Sequence, residues 1–435
     1  MLFRSKLRMN KGLKRNRHGI LASLDVGSSK ICCLIARIEE GRGERPDRLK
    51  VLGIGQQLSR GVKNGTVVDM EAAETAILAA VHSAEQMAGE PVESVVVNLS
   101  GGYPASRLIG VEVATDGHEV DDTDVRRALE QGHQLEGVLG QPEKGRQLIH
   151  SIPVGYTIDG SRGIRDPRGM YGERLGVNMH IVPAATGAVR NLATCIQRCQ
   201  LGIGAFVVSP YASGLASLVG DERELGVTLI DMGGGTTSIA VFLEGNLLHT
   251  DVVPVGGHHV TSDIARGLST GLTHAERLKS LYGHAIATSA DEREMIDVPQ
   301  VGEEEGHVQQ VPRSLLVGIM QPRLEETFEL VRSRLEASGF DKVGGRRVVL
   351  TGGAAQLPGM SDLGALILDK QVRIGRPIHL NGLAEATSGP AYATAAGLLA
   401  YALAMERVPP PAPTAEAPEA SSLLGRVGHW IKEHF

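Results

Sequence analysis

The sequence has few cysteines and no long apolar run. Four cysteines occur in 435 residues, and they stand inside apolar segments without the spacing of metal ligands. A disulfide framework and a zinc site are therefore not expected, and we interpret the thiols as reduced core residues of a cytoplasmic protein. No apolar stretch approaches the roughly 20 residues that span a bilayer. Asp25 interrupts the apolar stretch after the basic N-terminus, which argues against a signal peptide.

An excess of positive charge is also missing. The formal net charge is −6, with 42% hydrophobic and 22% charged residues. This balance argues against nucleic acid as a partner and predicts a sizeable buried core. The length corresponds to about three or four modules of ordinary size.

Residues 224–245, ELGVTLIDMGGGTTSIAVFLEG, place a glycine turn between two apolar segments. The pattern predicts two paired strands of a buried sheet. Glycine lets a phosphate chain approach the backbone N–H groups closely, and Asp231 at the strand end is placed to hold a hydrated Mg²⁺. The alternative is a glycine-rich hairpin with a solvated aspartate. The predicted phosphate contacts of this hairpin are Gly233, Gly234, Gly235, Thr236 and Thr237.

The N-terminal region repeats this design. Residues 19–38, GILASLDVGSSKICCLIARI, contain an apolar strand, Asp25, a short polar turn and a second strand. Residues 346–360, RRVVLTGGAAQLPGM, add a third strand that ends in a glycine turn. The candidate phosphate contacts in the first turn are Gly27, Ser28, Ser29 and Lys30.

Together, the two Asp-Gly hairpins and the strand-TGG segment resemble the nucleotide site of the actin, sugar-kinase and heat-shock chaperone superfamily. The resemblance implies two related domains that close over ATP, with Asp25 and Asp231 holding Mg²⁺ through water. It also implies contacts to the ribose and the base. For Glu276 and Lys279, an ordinary exposed i,i+3 ion pair is the alternative. The further contacts implied by the resemblance are Gly256, Glu276, Lys279, Gly352, Gly353 and Ala354.

Three more strings narrow the resemblance to one family. VNLSG, HSIPVGYTIDG and DPRGMYGERL occur in this order between residues 97 and 175, and they resemble text of the bacterial cell division family FtsA. In that family a differently placed subdomain, called 1C, replaces the usual second subdomain of actin; an unrelated insertion is the alternative. The implied fold class is α/β, an actin-like two-domain ATPase fold with ribonuclease H-like cores, a 1C subdomain, a flexible linker and a C-terminal amphipathic helix.

The resemblance also implies a division of the chain into subdomains. We assign 1–18 to a basic N-terminal tail, 19–99 and 183–214 to subdomain 1A, 100–182 to 1C, 215–250 and 335–405 to 2A, 251–334 to 2B, 406–422 to a linker, and 423–435 to a membrane-targeting helix.

Local patterns predict the elements between the motifs. Helices are expected at 70–88, 121–131 and 322–337, and a buried final helix at 390–404. Two separate strands are expected at 147–153 and 155–158, and Thr273 is expected to cap the helix that carries Glu276.

The C-terminal end changes composition abruptly. Residues 408–422, VPPPAPTAEAPEASS, predict a semi-extended tether, and the following LLGRVGHWIKEHF would form an amphipathic helix. The only tryptophan of the chain lies on its apolar side with basic residues nearby, which favours an anionic membrane surface over a protein groove. The basic residues of 1–18 predict a solvated tail, or attraction to the same lipids. The predicted membrane contacts are Leu423, Leu424, Val427, Trp430, Ile431 and Phe435.

The biological role follows from the resemblance alone. It implies a peripheral protein that polymerises on the cytoplasmic face of the inner membrane at the division site. It implies that subdomain 2B binds the C-terminal tail of the tubulin-like protein FtsZ, and that subdomain 1C recruits later division proteins. Hydrolysis of ATP should be slow, because Val207, Val208 and Ser209 offer no carboxylate or amide to polarise water. The alternatives are an actin-like pilus-assembly or cytoskeletal ATPase and an ATP-dependent sugar kinase.

Overall fold

The structure of the chain is a computed structural model that describes residues 19–39, 41, 48–139, 145–302, 308–378, 380–382 and 385–407. The predicted basic tail, residues 408–422 of the predicted linker and the predicted amphipathic helix with its membrane contacts lie outside the described residues.

The strands and helices follow one another along the chain with short connections. The strands are β1 Ile20–Val26, β2 Lys30–Glu39, β3 Arg48–Leu58, β4 Val62–Lys63, β5 Thr66–Val67, β6 Ser94–Leu99, β7 Arg107–Ala114, β8 Arg146–Ile158, β9 Ser161–Ile164, β10 Arg174–Ala185, β11 Gly202–Val208, β12 Val227–Met232, β13 Thr237–Leu243, β14 Asn246–Val253, β15 Met295–Pro299, β16 Val308–Pro312, β17 Arg347–Thr351, β18 Gln371–Ile374 and β19 Leu380–Asn381. The α-helices are α1 Met70–Ala88, α2 Asp122–Leu139, α3 Thr186–Arg198, α4 Ser209–Ser217, α5 Gly220–Leu225, α6 Gly257–Gly267, α7 Leu272–Tyr282, α8 Arg313–Ser338, α9 Met360–Leu368 and α10 Ala393–Arg407.

The first sheet has six strands in the order β11-β6-β1-β2-β3-β19. β1, β2 and β3 are antiparallel neighbours, whereas β6 runs parallel to β1 and to β11. Successive residues of a strand point to opposite faces, so Leu24 and Ile31 pack towards α1 and α3, while Cys32 and Leu34 pack towards α10. Both faces are therefore covered, and the hairpin β1-β2 is fixed in the middle of a buried sheet.

The second sheet repeats the first one. Its order is β14-β13-β12-β17-β18, with β12, β13 and β14 antiparallel and β17 parallel to β12 and β18. This is the arrangement of β3-β2-β1-β6-β11, so the hairpins β1-β2 and β12-β13 occupy equivalent positions. The repeat confirms the predicted α/β fold class with two related cores. We call the first sheet with α1, α3 and α10 the first lobe, and the second sheet with α6 to α9 the second lobe.

An α+β unit is inserted between β6 and α3. Four strands in the order β7-β10-β8-β9 pack their apolar face against α2. α2 begins after Asp121, whose Oδ1 accepts hydrogen bonds from the N–H groups of Thr123 at 2.7 Å and Asp124 at 3.0 Å. β8 is one strand where two were expected. A register shift leaves Val154 without a paired residue in β10, but the pairing resumes on both sides of it, so the strand is not interrupted.

The C-terminal end of the range predicted for subdomain 2A belongs to the first lobe. β19 pairs with β3 of the first sheet, and Leu398 and Leu399 of α10 are buried against that sheet. Gly397 permits this packing, since a Cβ there would lie 1.7 Å from the Ala212 carbonyl oxygen on α4. The assignment of residues 380–405 to 2A is thereby corrected, and the other boundaries stay predictions.

Two helices of the second lobe begin earlier than expected. α8 starts at Arg313 and continues through Pro322. Leu316 before the proline and Phe328 after it are buried in one core, and this burial outweighs the backbone hydrogen bond that proline removes. α7 starts at Leu272 with Gly271 as its N-cap, so the prediction that Thr273 caps this helix was wrong.

Candidate functional site

A cavity of about 470 Å³ lies between the two sheets. Both hairpins, the N-terminus of α6, one side of α7 and the turn after β17 line it. All of the predicted nucleotide contacts except Thr237 reach this cavity. They are Asp25, Gly27, Ser28, Ser29, Lys30, Asp231, Gly233, Gly234, Gly235, Thr236, Gly256, Glu276, Lys279, Gly352, Gly353 and Ala354.

Thr237 has a structural position instead. Its side chain is fully buried, and its hydroxyl donates a hydrogen bond to the Val255 carbonyl oxygen at 2.8 Å. This bond ties β13 to the connection between β14 and α6. The adjacent Thr236 directly precedes β13, and it lines the cavity.

The two hairpins have the same turn and face each other. The Gly27 N–H donates to the Lys30 carbonyl oxygen at 3.0 Å, and the Gly233 N–H donates to the Thr236 carbonyl oxygen at 2.9 Å. A Cβ at Gly235 would lie 2.6 Å from Ser28 Oγ. Glycine is therefore required by the close approach of the hairpins, which brings backbone N–H groups of both lobes to one side of the cavity.

Asp25 and Asp231 stand at corresponding positions at the ends of β1 and β12 and are 7% exposed each. Asp231 Oδ2 accepts hydrogen bonds from Ser213 Oγ at 2.6 Å and Thr394 Oγ1 at 3.0 Å. Burial raises the pKa of Asp25 to about 7. The charge of Lys30 lowers this pKa, and the charge of Asp231 raises it. Burial likewise raises the pKa of Asp231. Two desolvated carboxyl groups that line the same cavity form an oxygen-rich pair that suits a hard cation and its water ligands.

Lys30 carries a buried ammonium group into the same region. Its Nζ has no hydrogen-bond acceptor among the described residues, and it lies 3.5 Å from the centroid of the Tyr392 ring. Burial lowers the pKa of Lys30, whereas the charge of Asp25 opposes that change. An ammonium group has three donors, and leaving them unused in a buried site is costly. The site therefore fits a ligand with several anionic oxygens.

Glu276 and Lys279 form an ion pair on α7, with Lys279 Nζ 2.7 Å from Glu276 Oε2. Lys279 Nζ also donates to Thr261 Oγ1 at 2.8 Å and to the Gly257 carbonyl oxygen at 3.1 Å. These bonds fix α7 against the first two turns of α6, beside the cavity. The contact of these two residues with a ribose or a base stays a prediction.

Gly352 gives the turn after β17 its shape. Its φ is +87°, and a Cβ there would lie 2.4 Å from Asp231 Oδ1 and 2.5 Å from the Met232 carbonyl oxygen. The left-handed conformation and the lack of space both require glycine at this position. The turn thus reaches the cavity directly beside the carboxyl group of Asp231.

Several cavity residues were not predicted from the sequence. Asn98 Oδ1 accepts the Val26 N–H at 2.7 Å and its Nδ2 donates to Ser209 Oγ at 3.2 Å, which fixes the end of β1. His258 also lines the cavity. His258 follows the predicted contact Gly256 by two residues, and Asn98 lies in the VNLSG string, so both had a local signal, whereas Thr394 had none.

The two repeated sheets and the hairpins that face each other across the cleft define an actin-like fold. Solved structures share it. A chain of the "PilM-PilN type IV pilus biogenesis complex" covers 88% of this chain and 98% of its own length at 18% identity, with a TM-score of 0.60. MreB5 of Spiroplasma citri bound to ADP covers 89% and 99% at 14% identity, with a TM-score of 0.51. At these identities the likeness concerns the fold alone.

The sequence comparisons identify the family. The model "Cell division protein FtsA" matches residues 228–397, and "SHS2 domain inserted in FTSA" matches residues 101–183. Cell division protein FtsA of Agrobacterium fabrum is 44% identical over 98% of this chain and 97% of its own length. The protein of the same name from Escherichia coli K12 is 32% identical, with 97% of each covered. The chain belongs to the cell division protein FtsA family, as the resemblance predicted.

In the described part of the chain, no helix combines the length and the apolar character needed to cross a bilayer.

Proposed function

We propose that this chain binds ATP with Mg²⁺ between its lobes and acts as an actin-like division protein on the membrane. The observation that carries the nucleotide proposal is the set of Asp25, Asp231 and Lys30 between two facing glycine hairpins. These residues would hold the metal through its water ligands and neutralise phosphate charge. The bound Mg²⁺ would supply charge neutralisation at the phosphates, and Gly352 to Ala354 would lie beneath the base.

The proposal includes slow hydrolysis at most. The first turn of α4 presents Ser209 to the cavity, and the Ser209 hydroxyl accepts a hydrogen bond from Asn98 Nδ2. Val207 and Val208 are fully buried in β11. No carboxylate therefore stands at the start of this helix to orient an attacking water.

The membrane part of the proposal rests on the C-terminal sequence. Residues 423–435 would bind an anionic bilayer through one apolar side, and the Pro-rich residues before them would act as the tether. With self-association of the actin-like body, the polymer would assemble on the cytoplasmic face of the inner membrane at the division site.

The partners follow from family membership. Subdomain 2B would bind the C-terminal tail of FtsZ and so anchor the division ring, and 1C would recruit later division proteins. In support, the predicted 2B range exposes several large apolar side chains, which suits the binding of a peptide. Within this range they are Leu272, Leu281, Met295, Val301, Val308, Leu315 and Leu330.

Nucleotide binding is tested with three forms of the full chain. Titration with ATP in the presence and absence of Mg²⁺ should give Mg²⁺-dependent binding that Asp231→Asn weakens at least about tenfold, because a charged hydrogen-bonded metal site is lost. Asp116→Asn is the matched control: Asp116 is exposed in the inserted unit, and its φ of 49° is one that asparagine tolerates. Equal binding by all three forms would refute the nucleotide proposal.

Membrane binding is tested by sedimentation with anionic vesicles. The full chain should sediment with the vesicles, and a chain truncated after Ser422 should remain in solution. Trp430→Glu should reproduce the truncation, whereas Glu433→Gln, a change opposite to the apolar side, should not. Sugar phosphorylation by the purified chain would favour the kinase alternative, and localisation that does not depend on residues 423–435 would favour the pilus-assembly alternative.

A further inference from the structure

Ser29 and His258 connect the two lobes by a side-chain hydrogen bond. Ser29 belongs to the turn between β1 and β2, and His258 to the first turn of α6. Ser29 Oγ lies 2.8 Å from His258 Nε2. The backbone N–H of His258 donates to the Gly234 carbonyl oxygen at 2.8 Å, so the imidazole is held where the hairpins of both lobes meet.

This bond is more exposed than the polar contacts that Asp231 makes across the cleft. On the interior side, Asp231 of the second sheet is bonded to Ser213 on α4 and Thr394 on α10, and Ser213 is fully buried. By contrast, His258 is exposed and Ser29 is partly exposed. The lobes are therefore joined at a largely buried contact and at an accessible contact that can exchange with bulk water.

The chemistry of the pair suits a bond that opens and closes. Partial desolvation beside the cavity lowers the pKa of His258, against the charge of Glu276 that raises it, so the imidazole is largely neutral near pH 7. A neutral imidazole has one N–H donor and one acceptor nitrogen, and a serine hydroxyl can act in either role. The bond is therefore compatible with both tautomers of His258, and its net strength is that of a neutral, solvent-accessible hydrogen bond.

We propose that the Ser29–His258 hydrogen bond is a latch across the cleft that slows the release of nucleotide. The inference rests on the proposed nucleotide site. The hairpins approach so closely that a Cβ at Gly234 would lie 1.9 Å from Ser29 Oγ, so separation of the lobes would release a ligand that both hairpins hold. His258 acts through Ser29 as a positioning residue, and separation of the lobes breaks the bond between them.

The test measures dissociation of a fluorescent ADP analogue from the full chain after addition of excess ADP with Mg²⁺. His258→Ala should accelerate dissociation about fivefold, the factor that corresponds to one neutral hydrogen bond, and leave the association rate unchanged. Ser29→Ala should also accelerate release, and His258→Ala should have no further effect in that background. His258→Gln, whose amide can reach Ser29, should restore slow release. His274→Ala is the control, because His274 is exposed on the same lobe and does not line the cavity.

The outcomes separate the latch from the site itself. If neither substitution changed the dissociation rate, or if the two substitutions acted independently, the latch would be overturned. The proposed nucleotide binding would be unaffected by that result. A lowered thermal midpoint of His258→Ala without ligand, with proportional loss in His258→Gln, would show a structural role and also overturn it. Wild-type protein without affinity for nucleotide would overturn the proposed function and the latch together.

Discussion

The ammonium group of Lys30 lies 3.5 Å from the centroid of the Tyr392 ring, and the Tyr392 hydroxyl donates a hydrogen bond to Gln56 Oε1. Lys30 and Gln56 both belong to the first sheet, whereas Tyr392 directly precedes α10. The ring therefore holds a cation that has no hydrogen-bond acceptor in the described part of the chain. Because a cation over an aromatic face is stabilised by the ring quadrupole, Tyr392 orients Lys30 towards the cavity.

Removal of this ring should weaken the binding of nucleotide. Tyr392→Leu should lower the affinity for ATP about five- to thirtyfold, since a desolvated cation–π contact contributes roughly 1–2 kcal/mol. Tyr392→Phe keeps the ring and loses only the bond to Gln56, so it should stay within about twofold of wild type. In a Lys30→Gln background, Tyr392→Leu should have little further effect. Equal losses from the leucine and phenylalanine variants would contradict a role of the ring.

Gly352→Ala should damage both stability and the site. The methyl group would be forced into a conformation with φ of +87° and to within 2.4 Å of Asp231 Oδ1. The left-handed conformation alone costs roughly 1–2 kcal/mol, and the displaced carboxyl group should abolish Mg²⁺-dependent binding. Thermal unfolding and nucleotide titration measure the two effects. For thermal unfolding, Gly353→Ala is the matched control, because its Cβ would meet only Ala391 Cβ at 3.9 Å; a similar loss of stability in the control would argue against this explanation.

Acid should destabilise the fold through His150. This residue is 4% exposed, its Nε2 accepts the Val208 N–H at 3.1 Å, and burial lowers its pKa from 6.5 to about 4. Below pH 6.5 the unfolded chain binds a proton that the folded chain excludes, so stability is present above this pH and is lost as the pH falls towards 4. At pH 5 the loss amounts to about 2 kcal/mol.

The comparison with His150→Gln isolates this effect, since glutamine can still accept the Val208 N–H and does not titrate. Between pH 7.5 and pH 5 the urea midpoint of wild type should fall more than that of the variant. The difference between the two proteins is the test, because the raised pKa of Asp25 changes stability in the opposite direction over part of this range. Equal pH dependence of the two midpoints would exclude His150 as the cause.

Local signals predicted the hairpins and the class of fold. Asp25 and Asp231 each follow an apolar strand and precede a glycine-containing turn, and these features are contiguous in sequence. The structure places both at equivalent ends of repeated sheets. Such patterns can be recognised in a sequence because strand periodicity and glycine turns depend on neighbouring residues only.

Contacts between distant segments were not readable in the same way. The apolar pattern of residues 390–404 predicted a buried helix, but it contained no information on which sheet would cover it, and α10 packs on the first one. Pro322 was a local signal for a helix start, and tertiary packing of Leu316 and Phe328 overrode it. Thr394 bonds to Asp231, which is 163 residues away in the sequence. No local pattern in a single sequence indicates a contact over such a separation.

Membrane attachment and self-association should be thermodynamically coupled. Partial burial of six apolar side chains at roughly 1 kcal/mol each gives on the order of 6 kcal/mol before the cost of ordering the peptide, so a single C-terminal segment should bind vesicles weakly. Linked copies convert each later contact into an intramolecular one. Residues 408–435 fused to a dimeric carrier should therefore bind anionic vesicles at least about a hundredfold more tightly than the same residues on a monomeric carrier. The Trp430→Glu dimer should bind no better than the monomer, and equal affinity of the monomeric and dimeric fusions would disprove the coupling.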